Sequence, residues 1–329
     1  MAKLTKALGV ISVMAMSCCL SVAIGQAESW PSRPVTMVAP YAAGGPLDVV
    51  GRIVAARAGE ILGQQIVVEN VTGAGGMVGS KRVADATPDG YQFVLGTAGS
   101  HAQSQTLFAR PLYNASNDFT PVALLARTPI MLVVRNELPP KTLAEFVAYA
   151  KENQGKMSYG SAGIGSASQL ACVVLDMAMG TKITHVPYRS TVLAMQDLLA
   201  GRVDYICDII STAKPQIDAG KIRGLAMLGA ARSPMLPAIP TAIEQGVAVE
   251  ADTWIAVFLP RGAPADVVNK LNAAIVQALD TPAVKAQLEG LGVILPGKDE
   301  RSPEYLGKLV KADTLKWEAP IKASGAKIE

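Results

Sequence analysis

The residues best placed to do chemistry in this 329-residue chain are a glycine pair, Gly44 and Gly45, with Tyr41 before it and Asp48 in the residues after it. The apolar run Val35–Ala39 has the β-branched character of a buried strand, and apolar residues recur at spacings of three and four beyond Asp48. The pair therefore stands where a helix begins. The first N–H groups of a helix lack partners within it and carry the positive end of its dipole, and glycine lets a ligand approach them closely. This pattern is typical of an anion-binding turn, although an ordinary tight turn between a strand and a helix fits it equally well.

Small and hydroxyl-bearing loops also follow other predicted strands. One of them, at 96–101, contains Thr97, Ala98 and His101, and another, at 159–166, leads into a predicted helix over 167–179. In open α/β sheets, ligands bind beyond the carboxyl ends of the strands. Each loop by itself also fits a structural turn, but their recurrence predicts one shared concave site lined by backbone N–H groups and hydroxyls.

Catalysis has little support in the residue pattern. The chain has two histidines and no G-x-S-x-G nucleophile elbow, so a Ser–His–Asp triad is not indicated. Ser100 stands beside His101, but adjacent residues rarely face each other as nucleophile and base. The glycine-rich loop at 73–79 departs from the dinucleotide fingerprint because Val78 occupies the third glycine position, and no P-loop occurs. The enzyme alternative is an exported hydrolase that uses Ser100 or Ser161 with His101.

Spacing and charge argue against other function classes. The sequence has no H-x-x-x-H, no C-x-x-C and no acidic calcium loop, so no metal site is predicted, and no cofactor is expected either. The 30 basic and 27 acidic side chains are too evenly balanced for a nucleic-acid-binding protein, which needs clustered positive charge. We therefore expect a small-molecule partner and no nucleic acid.

The first residues have the pattern of a secretory signal peptide. Lys3 and Lys6 precede an apolar run over 8–24, and Gly25-Gln26-Ala27 supplies the small residues that a signal peptidase needs. We expect residues 1–27 to be removed and the mature protein to be exported. Cys172 and Cys207 are the cysteines of that mature chain, and although they would bridge in an oxidising compartment if close enough, we expect two buried free thiols.

Strand-like and helix-like runs alternate through the rest of the chain. Apolar runs typical of strands occupy 66–69, 93–96, 131–134, 183–186, 205–209 and 225–228. Helical patterns begin near Ala265, Pro282 and Pro303. This alternation predicts an α/β fold with largely parallel sheets, and the length favours two domains.

The motifs also occur in a specific order. They are WPSRP at 30–34, PYAAGG at 40–45, VEN at 68–70, GAGG at 73–76, PDGY at 88–91, GTAGSH at 96–101, YGSAGIGS at 159–166, HVPY at 185–188 and DLLAGRVD at 197–204. Together they resemble the extracytoplasmic substrate-binding proteins of tripartite tricarboxylate transporters, the Bug-type receptors. The resemblance covers essentially the whole mature chain.

The resemblance implies a fold and a function. The fold would be α/β and like that of type II periplasmic binding proteins, with residues 28–128 plus 250–329 in one α/β domain, 129–249 in the other and a ligand cleft between them. The protein would be a monomeric periplasmic receptor and not an enzyme. It would capture a small organic carboxylate and deliver it to a two-component membrane permease. A sensor that presents its liganded form to a membrane signalling protein fits the same sequence.

The resemblance also implies which residues bind the carboxylate. In the first domain they are Tyr41, Ala42, Ala43, Gly44, Gly45 and Asp48, with Thr97, Ala98 and His101 near by. In the second domain they are Ser161, Ala162, Gly163 and Ser166, with Tyr188 and Arg189 on a neighbouring strand end and Asp208 beside the cleft. Asp208 would receive a ligand amine or hydroxyl. Other interpretations stay open for three residues, since Asp48 fits a helix cap, Arg189 a solvated charge and His185 a structural histidine. The small Ala42-Ala43 pair departs from the family pattern and would widen the cleft for an aromatic carboxylate or a longer dicarboxylate.

Overall fold

The computed structural model describes residues 30–229, 232–233, 235–324 and 327–328. The predicted signal peptide, residues 1–27, lies outside the described residues. The strands are β1 (Val35–Ala39), β2 (Ile66–Asn70), β3 (Gln92–Thr97), β4 (Phe119–Arg135), β5 (Ser158–Ser161), β6 (Thr184–Pro187), β7 (Tyr205–Ile209), β8 (Ile222–Met227) and β9 (Asp252–Pro260). The α-helices are α1 (Pro46–Leu62), α2 (Met77–Ala84), α3 (Ser104–Leu107), α4 (Leu143–Asn153), α5 (Ala167–Met179), α6 (Thr191–Leu199), α7 (Ile210–Asp218), α8 (Ala265–Asp280), α9 (Pro282–Gly290) and α10 (Pro303–Ser324).

The strands form one mixed sheet in the order β2-β1-β3-β9-β4-β7-β5-β6, and β8 also pairs with β4. The 17-residue strand β4 changes partners along its length. Its first part pairs with β9 from Phe119 to Pro129, and its second part pairs with β7 and β8 from Ile130 to Arg135. The sheet is thereby divided into two parts, which are the β-sheets of the two α/β domains.

The prediction of largely parallel sheets is wrong. β1 runs parallel to β2 and β3, and β5 runs parallel to β6 and β7, as expected for units in which a helix connects two strands. Every pairing made by β4 or β9 is antiparallel. The sequence did not predict β9, and it predicted only the end of β4, because the antiparallel pairing of these strands joins residues far apart in sequence.

Several predicted elements are confirmed. The strand over 35–39, the strand over 205–209 and the helix over 167–179 have the predicted bounds, and α8, α9 and α10 begin at the predicted residues. None of the helices in the described part of the chain is both long and apolar enough to cross a membrane.

Helix α10 packs against the cores of both domains. Near its start, Leu306 is buried in a cluster with Trp254 and Phe258. Further along, Trp317 and Ile321 are buried in the cluster that contains Phe146, on the other side of the β4 crossing. The helix therefore packs against both domains, and β4 runs from one domain to the other.

Cys172 of α5 and Cys207 of β7 form a disulfide, with their Cα atoms 5.5 Å apart. The expectation of two free thiols is therefore wrong. Both residues are fully buried where α5 packs on β7. The two positions are 35 residues apart in sequence, and only the packing of this helix on this strand brings them within bonding distance.

Candidate ligand-binding site

A cavity of about 90 Å³ lies between the two domains, beside the paired segments of β4 and β9 that contain Thr128 and Thr253. One water needs roughly 10–15 Å³ of such space, so the cavity has room for a small molecule. It is lined by Tyr41, Gly45, Pro46, Leu47, Thr97, Thr128, Ile130, Ala162, Ser166, Ala167, Ser168, Ser190, Thr191, Cys207, Asp208, Ile209, Thr253 and Ile255.

Helices α1, α5 and α6 begin at this cavity, and Ile209, the N-cap of α7, also lines it. Gly45 is the N-cap of α1, with Pro46 in the first turn, and its N–H donates to the Ala42 carbonyl at 3.2 Å. Ser166 caps α5 and Ser190 caps α6, and each hydroxyl accepts a hydrogen bond from an N–H of its own first turn. The remaining first-turn N–H groups have no partner within their helices and carry partial positive charge. The cavity is thus surrounded by the positive ends of helix dipoles from both domains.

The positive charge of the cavity comes from the N–H groups of the backbone. None of the lining residues is a lysine, an arginine or a histidine. An anion bound there would be held by N–H groups and hydroxyls, as in other sites at helix N-termini.

Two threonines of the lining have polar atoms that no described residue satisfies. Thr128 of β4 and Thr253 of β9 lie directly opposite each other in the sheet. They are 1% and 7% exposed, and neither Oγ1 has a hydrogen-bond partner in the described ranges. Burying a hydroxyl without a partner is unfavourable, so this pair is suited to donate to a ligand.

Sequence reasoning missed both threonines. Thr128 and Ile130 are two residues apart on one strand, as are Thr253 and Ile255 on the other, so each pair lies on one face of the sheet. This spacing indicates a shared face only where a strand has already been predicted. Because β9 was not predicted, the sequence could not place Thr253 in the site.

Asp208 lies near the end of β7 and is 1% exposed. Its Oδ1 accepts a hydrogen bond from the Ile209 N–H at 2.8 Å. Its Oδ2 has no partner within hydrogen-bond distance among the described residues. Burial raises the pKa of the carboxyl to about 7, partly offset by the Ile209 N–H and by the hydroxyls of Thr191 and Thr212. Asp208 is therefore the one carboxyl among the lining residues, and it changes protonation near neutral pH.

Tyr41 forms one wall of the cavity. Its hydroxyl donates to the Gly75 carbonyl at 2.8 Å and lies 3.4 Å from Thr97 Oγ1. Burial raises the pKa of Tyr41 to about 12, partly offset by the hydrogen bond with Thr97. The phenol consequently stays protonated and fixes the loop at Gly75 against the end of β3.

The cavity brings together six of the residues predicted from the sequence. They are Tyr41, Gly45, Thr97, Ala162, Ser166 and Asp208. A larger outer groove of about 830 Å³ is lined by Gly163, Tyr188 and Arg189 and shares Tyr41 and Ala162 with the cavity. There the Tyr188 hydroxyl donates to Asp197 Oδ2 at 2.7 Å, and Arg189 is exposed.

The remaining predicted residues line neither space. They are Ala42, Ala43, Gly44, Asp48, Ala98, His101 and Ser161. Ala43 and Gly44 are exposed. The Asp48 carboxylate accepts hydrogen bonds from the Gly44 N–H, from Arg52 Nε and from Asn70 Nδ2, all at 2.9 Å. Burial acts to raise the pKa of Asp48, but these hydrogen bonds together hold it below its usual value. Asp48 thus stabilises the turn at Gly44 through these hydrogen bonds and does not face the cavity.

Two serine–histidine pairs are present, and the serine of each pair is fully buried. Ser100 Oγ lies 2.9 Å from His101 Nδ1, so the expectation that these neighbours would not face each other is wrong. Both residues are fully buried, the imidazole stacks on Phe258 at 4.3 Å, and burial lowers the pKa of His101 to about 3. Ser161 Oγ lies 2.6 Å from His185 Nε2 and is also fully buried. Neither serine is accessible to a substrate in this conformation.

The chain is similar in sequence and in fold to known receptors. The model of the tripartite tricarboxylate transporter family receptor matches residues 50–325. MatC from Rhodopseudomonas palustris, with bound malate, is 39% identical with a TM-score of 0.87, over 89% of this chain and 100% of that chain. The periplasmic binding protein BugD is 36% identical with a TM-score of 0.86, over 91% and 100%. Rpa4515 of the same Rhodopseudomonas species, with adipate, is 35% identical with a TM-score of 0.85, over 90% and 98%.

Proposed function

The chain belongs to the tripartite tricarboxylate transporter receptor family, whose Bug-type members are periplasmic binding proteins, and from this premise we propose that it captures a small organic carboxylate and delivers it to a two-component membrane permease. The family consists of substrate-binding receptors, so the chain is a solute-binding protein and not an enzyme. Two similar proteins hold malate and adipate, and both of these ligands are dicarboxylates. A dicarboxylate is therefore the first ligand to consider for this chain.

The observation that carries the proposal is the composition of the cavity. The starts of α1, α5 and α6 converge on it. Among the described residues, the hydroxyls of Thr128 and Thr253 lack partners and no cationic side chain lines the cavity. Backbone N–H groups and hydroxyls hold a carboxylate by charge-assisted hydrogen bonds. A neutral sugar would leave the dipole charge of these helix ends unused.

We further propose how the protein is exported and organised. Residues 1–27 act as a signal peptide, and the mature chain works as a periplasmic monomer. Residues 28–128 with 250–329 form one domain, and residues 129–249 form the other. The outer groove with Tyr188 and Arg189 is the entrance through which the ligand reaches the cavity when the domains separate.

A thermal-shift screen followed by calorimetry tests the proposed function. The screen contains mono-, di- and tricarboxylates, aromatic carboxylates and neutral sugars as controls. We expect a dicarboxylate to raise the melting temperature most and to bind with one ligand per chain. Tight binding of a sugar, with no response to any carboxylate, would overturn the proposal. Loss of uptake in a strain that lacks this receptor, restored by the intact chain, separates transport from signalling.

A further inference from the structure

Asp208 presents a problem for a carboxylate receptor, because a second negative charge would have to enter the cavity beside it. The side chain is 1% exposed, and its Oδ2 has no partner in the described part of the chain. It lines the cavity together with Ile130, Ile209 and Ile255, which supply no charge. Two carboxylates confined in one small site repel each other, and one of them then takes up a proton.

None of the described side chains that line the cavity with Asp208 carries a positive charge that would neutralise this repulsion. The Ile209 N–H donates to Asp208 Oδ1, and the hydroxyls of Thr212 at the start of α7 and of Thr191 in α6 act to lower its pKa. Its pairing partner on β4 is Met131, and the other titratable side chain of the lining is Tyr41, which stays protonated. All of these groups are uncharged near neutral pH.

We propose that Asp208 carries a proton when the receptor binds its carboxylate and donates this proton in a hydrogen bond from Oδ2 to the ligand, so that binding takes up a proton from solution. This inference rests on the proposed function. No covalent bond is made or broken, and the proton is shared between the Asp208 carboxyl and a ligand oxygen. The hydrogen bond runs opposite to the one expected from the sequence, in which Asp208 would accept from a ligand amine or hydroxyl.

A proton-linked site makes affinity depend on pH in a defined direction. The pKa of Asp208 is about 7 without ligand, and a neighbouring carboxylate raises it further. The protonated form that binds best is therefore depleted as the pH rises past 7. By linkage, the Kd of an ionised dicarboxylate should increase about tenfold between pH 6 and pH 8.

Calorimetry with malate and adipate as probes tests the inference, since both are largely ionised over this range. We expect the wild-type Kd to increase about tenfold from pH 6 to pH 8. Titrations at pH 8 in two buffers of different ionisation enthalpy should report proton uptake. Asp208→Asn keeps a donor at this position without a proton to lose, so it should bind at both pH values with a Kd that changes less than about twofold and without proton uptake.

Asp176→Asn is the matched control. Asp176 is also a buried carboxyl whose pKa burial raises to about 7, but it accepts a hydrogen bond from the Tyr205 hydroxyl and does not line the cavity. This variant should keep the wild-type pH dependence of the Kd. Carboxylate binding with a pH-independent Kd, or with a Kd that decreases as the pH rises, would overturn the inference alone. Binding of no carboxylate at either pH would overturn the proposed function itself.

Discussion

Thr128 and Thr253 are the side chains through which the sheet would contact a ligand in the cavity. They face each other across the β4–β9 ladder at the crossing between domains, and their hydroxyls have no partners among the described residues. Because they lie at the junction of the two domains, we expect their hydroxyls to exchange hydrogen bonds with a ligand in the cavity.

Replacing either threonine by valine should weaken carboxylate binding without lowering stability. Thr128→Val and Thr253→Val each remove one hydrogen bond to the ligand, worth about 0.5–1.5 kcal/mol, which corresponds to roughly a two- to tenfold higher Kd. The unliganded fold loses no hydrogen bond, so the urea midpoint should stay the same or rise. Calorimetry and urea unfolding measure the two quantities.

The control for these variants is Thr120→Val. Thr120 lies on the same strand, pairs with Leu259 and does not line the cavity. It should leave the Kd unchanged. Equal affinity in wild type, Thr128→Val and Thr253→Val would contradict the role given to the pair.

At the residue scale, the sequence predicted the donors on helix starts better than those on strands. Gly45 and Ser166 were recognisable because a glycine or serine before a helical pattern is a local signal. Thr128 and Thr253 carry no such signal, because their position in the cavity depends on an antiparallel pairing between residues 125 positions apart in sequence. Ala42 and Ala43 were assigned by motif position, and the turn directs them away from the cavity.

At the scale of elements, loops of the two domains meet across the cleft. Gly75, after β2, lies against the Ile164 carbonyl of the loop after β5, and a Cβ at Gly75 would stand 1.9 Å from that oxygen. Gly99, which follows β3, is similarly close to the Gly165 carbonyl and the Ala167 N–H at the start of α5. These glycines let the loops of the two domains approach to backbone contact. The sequence predicted the loops at 73–79, 96–101 and 159–166, but it could not predict the contacts between them, because these depend on how the two domains pack.

Gly75→Ala should hold the cleft open. The added methyl group cannot be accommodated without moving the Ile164 carbonyl, so the closed state becomes less favourable and the Kd should rise more than about tenfold. Calorimetry measures the affinity. Small-angle scattering should show compaction by a saturating carboxylate in the wild type and a smaller compaction in the variant.

Gly63→Ala is the control for backbone strain. Gly63 has a φ of +74°, close to the +63° of Gly75, but a Cβ there would meet nothing within 4 Å. Alanine in this left-handed conformation should cost about 1–2 kcal/mol of stability at either position. Only Gly75→Ala should also weaken binding, and an equal effect of both variants on the Kd would show that strain, and not closure, is responsible.

At the scale of the whole molecule, the α/β class and the two-domain receptor fold were predictable because ordered motifs span the chain. The mixed sheet was not, since the antiparallel pairings of β4 and β9 join residues far apart in sequence, whereas the prediction depended on the local alternation of strands and helices. The disulfide between α5 and β7 was likewise not predictable, because it depends on how the second domain packs. Long-range pairing is the common cause of these differences.

The stability of the whole molecule should report the two buried carboxyls, Asp176 and Asp208. Burial raises both pKa values from the usual 3.8 to about 7, so between about pH 5 and pH 6 the folded protein keeps two protons that the unfolded chain releases. Their stabilising effect is present at low pH and is lost as the pH rises through this range. His101 and His185 have the opposite effect on stability, because burial lowers their pKa values to about 3 and about 4. Between pH 5 and pH 6 these two histidines are protonated only in the unfolded chain, so their contribution to stability increases as the pH rises.

Removing one carboxyl should therefore change the pH dependence of unfolding by a fixed amount. In Asp208→Asn or Asp176→Asn, the slope of the free energy of unfolding against pH should increase by about 1.4 kcal/mol per pH unit relative to wild type between pH 5 and pH 6. Urea unfolding at pH 5, 5.5 and 6 measures the slope. Asp280→Asn is the control, because Arg301 holds the pKa of that exposed carboxyl below its usual value and it is ionised in both states. If Asp208→Asn has the slope of the control while Asp176→Asn does not, Asp208 is ionised in the unliganded folded receptor between pH 5 and pH 6, and its pKa is not raised to about 7.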